Sequence, residues 1–102
     1  MKIKISSPIE KNGEMINELN LDLTKLTGRD MIDTEFEARA LGDDTIQPLY
    51  GQRALAIIAA KASGLLVDDI LSLPAPDYLV VTNSVNNFLF SWGLVAGMQA
   101  SE

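Results

Sequence analysis

The stretch Ala54-Leu55-Ala56-Ile57-Ile58-Ala59-Ala60 contains seven apolar side chains in succession. It lies within residues 49–63, which predict a helix, and Gly64 can end that helix because glycine accepts the left-handed conformation of a helix cap. A helix that is apolar on nearly every side is typical of the centre of a domain. Its alanines also allow neighbouring elements to approach closely. We therefore expect the rest of the chain to pack around this helix.

Upstream of this helix, residues 1–24 have the pattern of a β-hairpin. Polar and apolar side chains alternate over 2–5 and again over 19–23, which is the period of a half-buried strand. Asn12-Gly13 predicts the turn, since both residues tolerate positive φ. Pro8 indicates an edge strand or a bulge. A hairpin alone is marginally stable in water, so its apolar face is expected to pack on helices.

A helix is predicted over residues 27–41, between the hairpin and the central helix. Thr27 can cap it, and Asp30 follows three residues later, as in a variant of the capping box. Gly42 provides a stop signal. Three apolar residues at a spacing of four share one face of this helix: Ile32, Phe36 and Ala40.

Two more helices are predicted after the central one. The first covers 68–73 and is capped by one of the two aspartates at its start. The second covers 76–95, with Asp77 at its positive N-terminal end, and 96–102 is expected to be a tail without fixed order. The sequence thus predicts a single α+β domain over residues 1–102, mostly helical, with an N-terminal β-hairpin packed on three to four helices.

Charge is distributed unevenly along the 102 residues. Seven of the eight Lys and Arg residues lie at or before Arg53, and the stretch from Tyr78 to Ser101 is uncharged. The net charge of −6, without a basic cluster, argues against nucleic-acid binding. The uncharged stretch must be covered by the chain's own core, a membrane or a protein. Its asparagines and the lack of flanking Lys or Arg argue against a membrane span.

The composition excludes most catalytic and metal chemistry. The chain contains neither cysteine nor histidine, so it lacks thiolates, the usual general base and the commonest metal ligand. Asp33 and Glu37 could chelate a cation from one helix face, but a solvated face is the favoured interpretation. No phosphate-binding glycine loop or nucleophile elbow occurs. We predict no enzyme activity, no cofactor and no metal. The N-terminus lacks a signal-peptide pattern, which indicates the cytoplasm.

The last predicted helix has two apolar faces. One is a seam at spacing 4-3-4-3, typical of a core contact: Val81, Val85, Phe88, Trp92 and Val95. The other mixes apolar and uncharged polar side chains: Leu79, Asn83, Asn86, Phe90, Leu94 and Met98. Such a surface is typical of protein–protein contacts. Burial of both faces within one monomer, and self-association into a homo-oligomer, are the alternatives.

Several short segments follow one another in a fixed order. They are Ile3, Ile5 and Pro8-Ile9; Asn12-Gly13; Leu21-Asp22-Leu23; Leu26-Thr27-Gly28-Arg29-Asp30; Glu37-Ala38-Arg39; Ala60-Lys61-Ala62-Ser63-Gly64-Leu65; Asp68-Asp69-Ile70-Leu71; Leu73-Pro74; Asp77-Tyr78; Val81 to Val85; and Phe88-Leu89. In this order they resemble the small phage tail assembly chaperones of contractile-tailed, Mu-like phages and related prophages. The resemblance covers roughly residues 1–90.

The resemblance implies a non-enzymatic protein of the bacterial host cytoplasm. Such chaperones bind the tape measure protein and keep it soluble until tail tube subunits polymerise around it. The implied partners are therefore the tape measure protein and the tail tube protein, with no nucleic acid and no membrane. Because they lie on the side of the last helix opposite its core seam, Leu79, Phe90, Leu94 and Met98 are expected to contact the client or a second copy. The alternative function is a structural tail or connector subunit that stays in the virion.

Overall fold

The computed structural model contains a two-stranded antiparallel hairpin followed by four α-helices. It describes residues 2–44 and 51–100, and the side chains of the last helix up to Ser91. The elements are β1 (Lys2–Lys11), β2 (Glu14–Asn20), a 3-10 turn (Leu23–Lys25), α1 (Gly28–Ala40), α2 (Gln52–Ser63), α3 (Val67–Leu71) and α4 (Ala75–Ala100). The predicted fold class, a hairpin packed with helices in a mostly helical α+β domain, is confirmed.

The hairpin turns at Asn12 and Gly13, whose φ angles are 53° and 82°. Positive φ at both central residues is what a two-residue type I′ loop requires, and Lys11 pairs with Glu14 across it. The register shifts between Lys4 and Ile9. This irregularity is the bulge that the proline in this segment indicates.

The end of the hairpin is tied to α3 by an ion pair. Lys11 Nζ lies 2.7 Å from Asp69 Oδ2, and both side chains are mostly buried. The Leu66 N–H also donates to this carboxylate, at 3.0 Å. The hydrogen bond from Lys11 and then that from Leu66 lower the pKa of Asp69. Asp69 therefore serves both as the cap of α3 and as an anchor of the hairpin.

Helix α2 is the centre of the domain, as its composition predicts. All residues over 54–60 are buried, and the helix contacts α1, α3, α4 and β2. The main core joins its buried side chains to those of the hairpin, α3 and α4, while a smaller cluster of Ala38, Ala54 and Ile57 joins it to α1. Gly64, with φ 76°, ends α2 by donating its N–H to the Ala60 carbonyl.

Helix α1 begins with the expected capping box between Thr27 and Asp30. The apolar face at spacing four, however, does not pack on the core: Ile32 is 57% exposed and Phe36 is 69% exposed. The face against α2 instead carries the buried Thr34 and Ala38. Their small side chains let the two helices approach closely, and Met31 of α1 packs against the main core.

The later helices have bounds that differ from the expected ones. Helix α3 ends at Leu71, two residues before the end of the predicted 68–73. Helix α4 continues to Ala100, so most of the expected tail at 96–102 is helical, and residues 101 and 102 lie outside the described chain. The expected start of the central helix, at residues 49 and 50, also lies outside it.

Candidate protein-binding surface

The N-terminal end of α4 is held against the hairpin by Asp77. Its carboxylate accepts hydrogen bonds from the Ser6 N–H at 2.9 Å, the Ser6 hydroxyl at 3.0 Å and the Ser7 N–H at 3.1 Å. Both N–H groups belong to the bulged part of β1, where the strand ladder is interrupted. These bonds, that from the Ser6 N–H first, lower the pKa of Asp77. The start of α4 is therefore fixed to the hairpin.

One face of α4 packs on the main core. Val81, Thr82 and Val85 are fully buried, and the Thr82 hydroxyl donates to the Tyr78 carbonyl at 3.0 Å. Phe88 of the predicted seam is partly buried against the same core. The side chains of Trp92 and Val95, which the sequence also assigns to this seam, lie outside the described part of α4.

The opposite face of α4 is exposed. Phe90 is 70% exposed and Leu79 is 50% exposed, and the Asn83 and Asn86 side chains between them are also exposed. Val80, beside Leu79 and 50% exposed, widens this face. We call these five residues the α4 surface. Of the six residues that the sequence nominates for protein binding, Leu94 and Met98 have side chains outside the described part, and binding by the other four stays a prediction.

Sequence reasoning missed Val80 as a member of this surface. Val80 is one residue from Leu79, about 100° around the helix axis, so it falls between the two faces on a helical wheel. Helical spacing therefore assigns it to neither face. Only the orientation of α4 on α2 shows that Val80 turns to solvent.

The α4 surface carries no charged residue. Helix α4 has 26 residues and is about 39 Å long, against 49 Å for the longest dimension of the molecule. Among the described residues, no helix combines the length and hydropathy needed to cross a bilayer. Large apolar side chains in water cost free energy that a protein partner would recover by covering them.

Two of the four acidic side chains of α1, those of Asp30 and Glu37, are engaged in structural contacts. Asp30 caps the helix by accepting from the Thr27 N–H at 2.8 Å, and this bond, ahead of the others, lowers the pKa of Asp30. Lys61 reaches across from α2, with its Nζ 3.1 Å from Thr34 Oγ1 and 3.4 Å from a Glu37 carboxylate oxygen. Within residues 2–44 and 51–100, no three acidic side chains converge as a metal site would require.

Comparison with known families identifies the chain. The model of the family described as "Phage tail assembly chaperone proteins, E, or 41 or 14" matches residues 2–89. The chain belongs to this family. No curated protein and no solved structure matches it. Phage tail assembly chaperones are non-enzymatic. The match extends from the hairpin to Leu89 in α4 and confirms the resemblance seen in the sequence.

Proposed function

We propose that this tail assembly chaperone binds the tape measure protein through the α4 surface. It keeps that long, largely helical client soluble in the host cytoplasm until tail tube subunits polymerise around it. The observation that supports the proposal is the exposure of Phe90, 70% open to solvent on a helix face without charge. An aromatic anchor flanked by uncharged polar groups is typical of the centre of a protein interface.

The dimensions of the α4 surface suit a helical client. Leu79 and Phe90 are eleven residues apart, which corresponds to three turns or about 16 Å along the axis. A helix laid alongside would place apolar side chains at successive turns against this face. Asn83 and Asn86 can form hydrogen bonds without the cost of burying a charge. Such a face tolerates different client sequences, because no charge restricts the partner.

The remaining charge of the chain suits the same role. The net charge of −6 comes almost entirely from residues outside α4. Once α4 is covered by the client, this acidic surface faces solvent and keeps the loaded complexes apart by mutual repulsion. In the proposal the tail tube protein and a second copy of the chain are further partners, and both would compete with the client for the α4 surface.

The test replaces two phenylalanines of matched exposure. Phe90→Asp is compared with Phe36→Asp, whose side chain is 69% exposed on α1. Each variant is co-expressed with the tape measure protein of the same phage, and the melting temperature of the chaperone and the soluble, co-purified client are measured. We expect both variants to fold, and only Phe90→Asp to lose the client.

Two outcomes would contradict the proposal. Unfolding of Phe90→Asp alone would show that Phe90 is a core residue, and equal client retention by both variants would remove the α4 surface as the docking site. Electron microscopy with labelled protein adds a separate check. A chaperone departs before the tail matures, so label in finished tails would favour a structural subunit instead.

Leu94 and Met98 extend the proposal along α4. They follow Phe90 at a spacing of four in sequence, which continues the same face by two helical turns. We expect Leu94→Asp to weaken client retention less than Phe90→Asp, because Phe90 presents the larger apolar surface. A larger effect at Leu94 would move the centre of the docking site toward the C-terminal end of the helix.

A further inference from the structure

A shallow groove lies between the C-terminal end of α1 and the N-terminal end of α3. Ala40 at the end of α1, the next residue Leu41 and Val67 of α3 line it, above the fully buried Ile57 of α2. Its volume is about 320 Å³, within the range of sites that hold a ligand or a large side chain. Leu41 is 46% exposed, so one apolar wall of the groove is exposed to solvent.

The rim of this groove is acidic. Glu37 of α1 and Asp68 of α3 complete its lining, and both residues are exposed. Among the described residues that line it, none is basic. Lys61 pairs with Glu37 but does not line the groove, and Asp68 lies in the first turn of α3. An apolar floor between two carboxylates is complementary to an apolar side chain with cations beside it.

We propose that this α1–α3 groove is a second docking site, which binds a basic amphipathic helix of another protein. A large apolar side chain of that helix packs against Leu41 and Val67, and a neighbouring Lys or Arg lies near Asp68. The groove is built from α1, α2 and α3, whereas the α4 surface belongs to one helix. The proposal goes beyond client binding by α4 and does not depend on it.

The charge of the chain selects the occupant. A second copy of the chain does not supply such a segment from α4, its most apolar helix, because α4 has no cation from Tyr78 onward. A segment with Leu or Ile on one face and Lys or Arg next to it satisfies both parts of the groove. Helix-in-groove recognition of this kind uses anchors at one or two successive turns.

The test uses three synthetic peptides, each about five helical turns long. All three share one helical pattern of two residue types, which are Leu and Lys in the first peptide, Leu and Glu in the second, and Gln and Lys in the third. Each is titrated into the full-length ¹⁵N-labelled protein while amide chemical shifts are followed. We expect only the Leu–Lys peptide to bind with saturation, and its shifts to centre on Leu41, Val67 and Asp68. Equal binding of the Gln–Lys peptide, shifts centred on Leu79 and Phe90, or no binding would each overturn the proposal.

Two variants locate the contacts. Leu41→Gln removes an exposed apolar wall, and Asp68→Asn removes a rim charge, with Glu14→Gln on the hairpin as the charge control. We expect Asp68→Asn to weaken the Leu–Lys peptide roughly two- to fivefold, in the range of an exposed ion pair, and Leu41→Gln to weaken it further. Unchanged affinity in both groove variants, with their melting temperatures retained, would also overturn it. Because no tape measure protein is present, the result is independent of the Phe90 experiment.

Discussion

Asp77 and Ser6 are 71 positions apart in the chain and are joined by three hydrogen bonds at the junction of hairpin and helix. The Asp77 carboxylate accepts from the Ser6 N–H at 2.9 Å and from the Ser6 hydroxyl at 3.0 and 3.1 Å. The hairpin thereby fixes the start of α4. The direction in which α4 presents its exposed face consequently depends on this contact.

Replacing Asp77 tests this contact. Asp77→Asn replaces the charged acceptor by a neutral amide, so both N–H groups lose a charged acceptor and one of them faces the amide NH2 group. We expect the melting temperature at pH 7 to fall by several degrees. Asp33→Asn, at an exposed position of α1, is the matched control and should leave it almost unchanged. Equal melting temperatures for the two variants would show that the contact does not stabilise the fold.

Acid should destabilise the protein within a defined range of pH. Hydrogen bonds lower the pKa values of Asp30, Asp69 and Asp77 from 3.8 in the folded chain. The unfolded chain therefore binds more protons, and the stabilisation is present above pH 3.8 and is lost as the pH falls through the lowered values. Urea unfolding between pH 2.5 and 7 measures this. A midpoint that stays constant below pH 4 would contradict the expectation.

At alkaline pH, a rise in pH should destabilise the protein. Burial raises the pKa of Tyr78 above 10.0, so the unfolded chain loses its proton first. This contribution is complete below pH 10 and is lost as the pH rises through the raised value. The chain has no histidine, and none of the described groups with a shifted pKa titrates between pH 5 and 8. Over that interval we expect a nearly constant free energy of unfolding.

Two glycines provide a matched pair for backbone strain. Gly13 has φ 82° and open space where a Cβ would lie. Gly13→Ala should therefore lower the free energy of unfolding by about 1 kcal/mol, through backbone conformation alone. Gly28, at the start of α1, also has open space but no positive φ, and Gly28→Ala should be neutral or stabilising by up to about 1 kcal/mol. Urea unfolding of both variants measures the difference, and a similar loss in both would contradict the turn assignment.

The exposed face of α1 can be tested by truncation. Phe36→Ala should change the free energy of unfolding by less than about 0.5 kcal/mol, because its side chain is 69% exposed. Ile58→Ala, at a fully buried position of α2, should cost about 2–5 kcal/mol through lost burial and a cavity. If Phe36→Ala proved as costly as Ile58→Ala, the face assigned to solvent would be a core face.

The parts of the fold that depend on neighbouring residues could be predicted from the sequence. The Asn12-Gly13 turn and the Thr27 cap require only local chemistry, and the central position of α2 follows from its continuous apolar composition. The orientation of α1 could not be predicted, since periodicity shows which residues share a face but not what that face contacts. Small side chains at Thr34 and Ala38 decide that question only once α2 is in place.

The candidate sites show the same division. Helical spacing alone placed Leu79 and Phe90 on the side of α4 opposite Val81 and Val85, and the described side chains have these exposures. The end of α4 was less predictable, because Gly97, a stop signal of the kind that ends α2, lies inside a helix that continues to Ala100. The α1–α3 groove could not be found from spacing, because its lining comes from three separate helices.

The bulge in β1 has a protective consequence. A two-stranded sheet has two open edges, and free N–H groups along an edge can template the addition of a strand from a neighbouring molecule. At Ser6 and Ser7, where the pairing of β1 with β2 is interrupted, the N–H groups already donate to a carboxylate of the same chain. A strand from another molecule that paired with this part of β1 would first have to displace Asp77, and would then meet its negative charge.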